Sequence, residues 1–231
     1  MTNCFNDLIK NINKDLLDKS GSVFYTGADA FSKKSRFYIL GSNPGGCPEK
    51  LSEFTIRKNI SEYYDKRSYS AFEDESWNSS DVGGSPVQRR VRYLLSKIEI
   101  SPKSVPASNV IFVRSKREKD LSSEREYFLD MCWPFHKAVI DRLEVEIVIC
   151  MGRVAGRWVR TMLGANDYVG CFREKNLRGW KSEIYANSAG VYVLGLTHPS
   201  VADWCSAPAD PSPLLRRLYD KLEMSPKEVC L

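Results

Sequence analysis

Four short apolar runs govern what this chain can fold into: Phe37-Tyr38-Ile39-Leu40, Asn109-Val110-Ile111-Phe112-Val113, Glu146 to Met151, and Val191 to Leu196. Each is too short for a core helix and rich in β-branched or aromatic residues, the marks of a strand buried on both faces. Helical periodicity fills the intervals. Val87, Val91, Leu94, Leu95 and Ile98 recur at helical spacing behind Pro86, a residue favoured at a first helical position. Tyr127, Phe128, Met131, Phe135, Val139 and Leu143 do the same behind a capping Ser122 or Ser123. Val154 to Leu163 and the segment after Pro213 read as further helices. This alternation predicts an α/β fold: a three-layer αβα sandwich around a central, mainly parallel four-stranded sheet, in one domain spanning 1–231.

Two segments add to that plan. Phe5, Leu8, Ile9, Ile12 and Leu16 share one helical face, which predicts an N-terminal amphipathic helix over 1–18. Asn11, Lys14 and Asp15 interrupt the apolar pattern there and argue against a signal peptide. Residues 48–82 form an inserted helix-loop segment, with a helix expected from Pro48 to about Arg67 and a Ser-, Asp- and Gly-rich loop after it.

Bulk properties set the class. No apolar run approaches the length of a membrane span, so a soluble cytoplasmic protein with no membrane partner is expected. The 34 basic against 29 acidic side chains leave +5, a balance that permits a polyanionic partner without demanding one. Seven cysteines stand at 4, 47, 132, 150, 171, 205 and 230 with no C-x-x-C pair. Neither a zinc ribbon nor a disulfide framework is expected from them, and Cys230 does not complete a prenylation box.

In open parallel sheets, ligands bind outside the carboxyl ends of the strands. Loops 41–47, 114–118 and 197–204 leave strands at that edge and carry unusual polar, glycine and proline chemistry. Gly41-Ser42-Asn43-Pro44-Gly45-Gly46 is a tight loop that leaves backbone N–H groups free for an anion or a close ligand. It has neither the Gly-Lys-Ser/Thr of a phosphate-binding loop nor a dinucleotide fingerprint. Taken alone it is equally consistent with a plain strand-to-helix turn. His198-Pro199-Ser200 follows the last strand directly, at the same edge, whereas His136 sits mid-helix beside Phe135 and reads as structural.

With these motifs in order, the chain resembles the uracil-DNA glycosylase superfamily. Gly41 to Gly46 is similar to the family's first motif in the mismatch-specific and single-strand-selective branches, where Asn replaces a water-activating Asp. His198-Pro199-Ser200 is similar to the second motif. Asn109 to Arg114, Cys132-x-Pro134, Ile147 to Ala155 and Leu177-Arg178-Gly179 resemble the thermophilic branches. The resemblance covers roughly residues 36–46 and 83–222. It lacks the N-terminal cysteine pair that helps ligate an iron–sulfur cluster in one branch, and residues 48–82 are longer than usual.

The resemblance implies a monofunctional DNA glycosylase that hydrolyses the N-glycosidic bond of a flipped-out damaged or modified base, leaving an abasic site. By resemblance His198 stabilises charge on the departing base and Asn43 positions the attacking water. Asn109 reads the base's Watson–Crick edge, with Gly41 and Ser42 beside it. Ser85, Ser200 and the backbone of Gly45 and Gly46 grip DNA phosphates by resemblance, and Arg114, Lys116 and Arg117, at the same edge, are candidates for phosphate contact by position. Trp77 is favoured over Phe72 as the base-stacking aromatic. Val201, Asp203 and Trp204 are wedge candidates, Trp204 being the only bulky one. Arg89, Arg90 and Arg92 read as a solvated helix face. No metal or cofactor is implied, the partner is duplex or single-stranded DNA, and a monomer is the expected state. The insertion points toward a base bulkier than uracil, such as a modified base of phage DNA met in defence. A catalytically weak lesion-binding module and a nucleotide or small-molecule hydrolase using Cys47 are the competing readings.

Overall fold

Alternation inside each apolar run sends neighbouring side chains to opposite faces of one sheet. The computed structural model describes residues 2–77 and 79–224, so Cys230 lies outside it. Its described strands are β1 (Phe37–Gly41), β2 (Ala107–Asn109), β3 (Ile147–Met151), β4 (Asp167–Arg173), β5 (Lys181–Ala186) and β6 (Tyr192–Leu196). Their order is β2-β1-β3-β6-β5-β4. The pairings β1–β2, β1–β3 and β3–β6 are parallel, while β5 pairs antiparallel with both β4 and β6. The sheet is therefore six-stranded and mixed, not four-stranded. Three of the expected strands (β1, β3 and β6) lie side by side and parallel with β2, which shares only Asn109 with the expected 109–113 run, and a hairpin extends them on one flank.

The helices are α1 (Thr2–Ile9), α2 (Ile56–Asp65), α3 (Ala71–Asp74), α4 (Pro86–Ser96), α5 (Arg125–Arg142), α6 (Arg153–Met162) and α7 (Ser212–Met224). On one face Tyr38, Leu40, Val148, Cys150 and Val193 pack with Phe5 and Leu8 of α1, Phe135 and Val139 of α5, and Val159 of α6. On the other, Ile39, Ile147, Ile149 and Leu194 pack with Val91 and Leu95 of α4 and Leu215 and Leu218 of α7. Each such side chain contributes about 1.5–3 kcal/mol by leaving water. Among the described residues no helix is long and apolar enough to cross a membrane.

Several boundaries differ from the sequence expectation. The N-terminal helix stops at Ile9, because Asn11 Nδ2 donates to the carbonyls of Asp7 and Leu8. A 3-10 turn, Lys14–Leu16, then buries Leu16. Residues 110–113 leave the sheet after Asn109. Val110 and Ile111 donate to the carbonyls of Gly41 and Ser42, and their apolar character serves packing with α5. The inserted helix begins at Ile56, not Pro48, because Thr55 Oγ1 accepts from Lys58 N and sets the cap there. α3 falls inside the segment expected to be loop.

His136 ties the layers together. Its Nε2 donates to the carbonyl of Val110 (3.1 Å), which can only accept, so Nδ1 accepts from the Tyr38 hydroxyl (2.8 Å). One neutral imidazole thus joins α5, β1 and the chain just past Asn109. Burial holds its pKa down, from the ordinary 6.5 to about 4. Below pH 6.5 the unfolded chain takes up a proton that the folded chain refuses until about pH 4, so stability falls as pH drops through that window. At 1.36 kcal/mol per unit the loss is about 3 kcal/mol. Chemical denaturation at pH 7 and pH 4.5 should show a drop in wild type that is reduced in His136→Gln.

Candidate active site

All four parallel strands end at one edge, and their exits meet around a cavity of about 500 Å³. Gly41 to Asn43 come from the end of β1, Asn109 from β2, Met151 from β3, and His198 and Ser200 from the loop after β6. Tyr25, Phe72, Trp77, Ser115, Lys116, Arg117 and Glu118 complete much of the lining.

The approach of β1 to β2 is very close. A Cβ on Gly41 would sit 2.1 Å from Asn109 Oδ1, so only glycine leaves the Asn109 amide in place. Asn109 is buried and donates from Nδ2 to the Tyr25 hydroxyl at 2.8 Å. Burial is the main cause that pushes the Tyr25 phenol up to about 12, so the ring stays neutral. Tyr25 itself is held by its backbone, donating to Ala107 O and accepting from Ala71 N.

Asn43 is oriented by what its neighbours can accept. Its Nδ2 donates to the Pro44 carbonyl (2.9 Å) and to Ser115 Oγ (2.8 Å). Because the carbonyl cannot donate, the amide nitrogen must face it. Ser115 Oγ in turn donates to Arg117 O. Oδ1 is left as an acceptor for a water or substrate.

His198 is fixed with the same logic. The backbone N–H of Ser200 donates to Nδ1 at 3.1 Å, with Ser200 Oγ at 2.7 Å from the same nitrogen. An Nδ1 that accepts places the ring proton on Nε2. Burial lowers the imidazole pKa and keeps this neutral tautomer. Gly152, at φ +108°, lets the ring lie close, since a Cβ there would meet His198 Cδ2 at 3.3 Å. Two arginines strap the loop. Arg90 bonds the Asp203 carboxylate (3.0 Å) and the Pro199 carbonyl, and Arg178 donates to the Val201 carbonyl.

Trp77 forms one wall, edge-on to Tyr25 and Phe72 at 6.2 and 5.7 Å between ring centroids. Glu75 holds it: Oε2 accepts from the Trp77 indole N–H (2.8 Å), while Oε1 accepts from the hydroxyls of Tyr63 (2.8 Å) and Tyr69 (3.0 Å). Gln88 of α4 donates to the carbonyls of Ala71 and Glu75, anchoring the insertion beside the cavity.

Some expected contacts are elsewhere. Ser85 is buried as the N-cap of α4, accepting from Gln88 N, so its hydroxyl does not reach a phosphate. Trp204 is fully buried with its indole N–H on the Thr197 carbonyl and cannot act as a wedge; Asp203 is paired with Arg90. Val201, 51% exposed, is left at the tip. Arg114 donates to the carbonyl of Gly45, bracing the first loop. Gly46, at φ +111°, turns that loop. Arg90 is a strap, not a solvated charge. Cys47 Sγ donates to Glu49 and does not line this cavity. Among the described residues no cluster of His, Cys, Asp and Glu could hold a metal ion. Sequence reasoning missed Tyr25 and Ser115, whose partners Asn109 and Asn43 lie far away in the chain, and Glu75, whose nearby partners Tyr63, Tyr69 and Trp77 meet only through the path of the inserted segment.

Glu75→Ala should cost about 1–3 kcal/mol in urea denaturation, because the buried Tyr63 hydroxyl loses its acceptor. An unchanged midpoint would remove Glu75 as the clamp of this wall. No family model matches the chain, and no curated protein matches it.

Proposed function

We propose that the chain is a monofunctional DNA N-glycosylase that excises a flipped-out base and leaves an abasic site. One observation carries the reading. An Nε2–H donor, an unengaged amide acceptor and a base-reading amide, from His198, Asn43 and Asn109, converge on one cavity walled by aromatic rings. The resemblance of the surrounding motifs to the uracil-DNA glycosylase superfamily supports it.

Hydrolysis then runs as follows. The C1′–N bond breaks and its electron pair leaves with the base, building negative charge on a base oxygen. The His198 Nε2–H donates to that oxygen and lowers the energy of the charge. Asn43 Oδ1 accepts from a water and aims its oxygen at C1′, where the new bond forms. One water proton ends on the departed base. Asn is no general base, so the reaction depends on leaving-group stabilisation more than on water activation. Asn109 presents both donor and acceptor to the edge of the base.

The cavity, about 500 Å³ including its open mouth, leaves room beside a single-ring base, and Phe72 and Trp77 of the inserted segment line it. These features favour a modified base bulkier than uracil, such as one in foreign phage DNA. Lys116 and Arg117, exposed at the rim, and Ser200 and Val201 on the facing loop are the candidate DNA contacts.

The test uses oligonucleotides carrying uracil or pyrimidines with 5-substituents of increasing bulk, followed by alkaline cleavage of abasic sites. Scission should be greatest for a bulky base and fall about 10²–10³-fold in His198→Ala, the loss typical of one removed charge-stabilising donor. Binding without scission across the whole panel would instead identify a lesion-binding module.

A further inference from the structure

A second cavity, of about 380 Å³, lies between α6 and the β4–β5 hairpin, away from the base pocket. Arg153, Arg157 and Arg160 line it from α6, and Arg173 and Lys181 from the hairpin, with Glu183 as the acidic side chain in its lining. None of these six residues is in an ion pair, although thirteen ion pairs occur elsewhere among the described residues.

The hairpin register sharpens the point. Arg173 and Lys181 are direct cross-strand partners. Like charges directly opposite destabilise a sheet, and an anion between them relieves the repulsion. Arg160 is held in place rather than loose, stacked 3.6 Å over the Tyr185 ring with Nε on the Ala165 carbonyl. Arg173 is likewise anchored, through Nη1 to the Gly179 carbonyl.

Length argues for a chain of anions and against a single one. Arg153 to Arg160 spans seven residues of helix, about 10 Å at 1.5 Å per residue. One strand of a duplex carries about three phosphates over that axial distance. The near end of the groove also abuts the His198 loop on both walls. Arg153 follows Gly152, where an added Cβ would meet the His198 ring, and Arg178, stacked 4.7 Å over Trp180 of the groove, holds the Val201 carbonyl.

We infer that this groove is a track for the phosphates of one nucleic-acid strand, leading that strand away from the base pocket along α6. The direction of the strand rests on the glycosylase reading; the ligand class rests on the groove alone.

The experiment measures binding of unmodified 30-nucleotide DNA, single- and double-stranded, by fluorescence anisotropy over a range of salt. Wild type is compared with the Arg157→Gln/Lys181→Gln double variant, with thermal melting to confirm folding. The log–log salt slope should become shallower by about two, one unit per lost phosphate contact. An unchanged slope and affinity overturn the track and leave the glycosylase reading untouched. A shallower slope in a protein that excises no base upholds the track while the glycosylase reading fails. Tripolyphosphate that binds the wild type more tightly than either DNA, and loses that binding in the double variant, overturns the strand in favour of a small polyphosphate.

Discussion

Burial of the sheet's centre on both faces is the constraint from which the rest follows. All five residues of β1 and all five of β3 are buried. Such strands cannot be joined by tight hairpins and remain parallel; each connection must cross over and cover a face. α4 packs one face on the way from β1 to β3, while α5 and α6 pack the other. The faces over β1 and β3 are thereby closed to ligands, and the four carboxyl ends emerge together. Convergence of Gly41, Asn109, Gly152 and His198 is a consequence of that covering, not a separate achievement of the loops.

Within the convergence, orientation comes from neighbours that can play only one hydrogen-bonding role. The Pro44 carbonyl can only accept, so it turns the Asn43 amide; the Ser200 N–H can only donate, so it chooses the His198 tautomer. Glu75 does the same for the wall, accepting from two phenols and an indole at once. A site oriented in this way needs little rearrangement on meeting a ligand, and for the proposed reaction that is the condition under which hydrogen-bond donors would stabilise developing charge well. The two arginine straps extend the principle to the backbone of the His198 loop.

What the sequence revealed followed the range of the forces involved. Runs such as Ile147 to Met151 were legible because burial on both faces dictates composition residue by residue, and Gly41 and His198 were legible because they adjoin such runs. β4 and β5 were not. β4 is exposed or half-buried throughout, carries Gly170, and shows no apolar alternation to read. Tyr25 and Glu75 were hidden for a different reason. Their partners Asn109 and Trp77 are identified by loop geometry, which local pattern does not encode. Trp204 misled because bulk beside the histidine motif suggests a wedge, whereas the Thr197 carbonyl and an apolar shell draw the ring inward.

Charge completes the argument about what the edge can hold. The pocket interior is built from neutral groups: two amides, an imidazole kept neutral by burial, and aromatic rings. Glu118, its acidic lining residue, is paired with Arg125 at 3.3 Å. Cations lie to the sides, Lys116 and Arg117 on one flank and the α6 groove on the other. In the proposed reading, a neutral centre between cationic flanks would suit a ligand whose recognised part is uncharged and whose neighbours on both sides carry phosphate, the electrostatic form of a base extruded from a continuous strand.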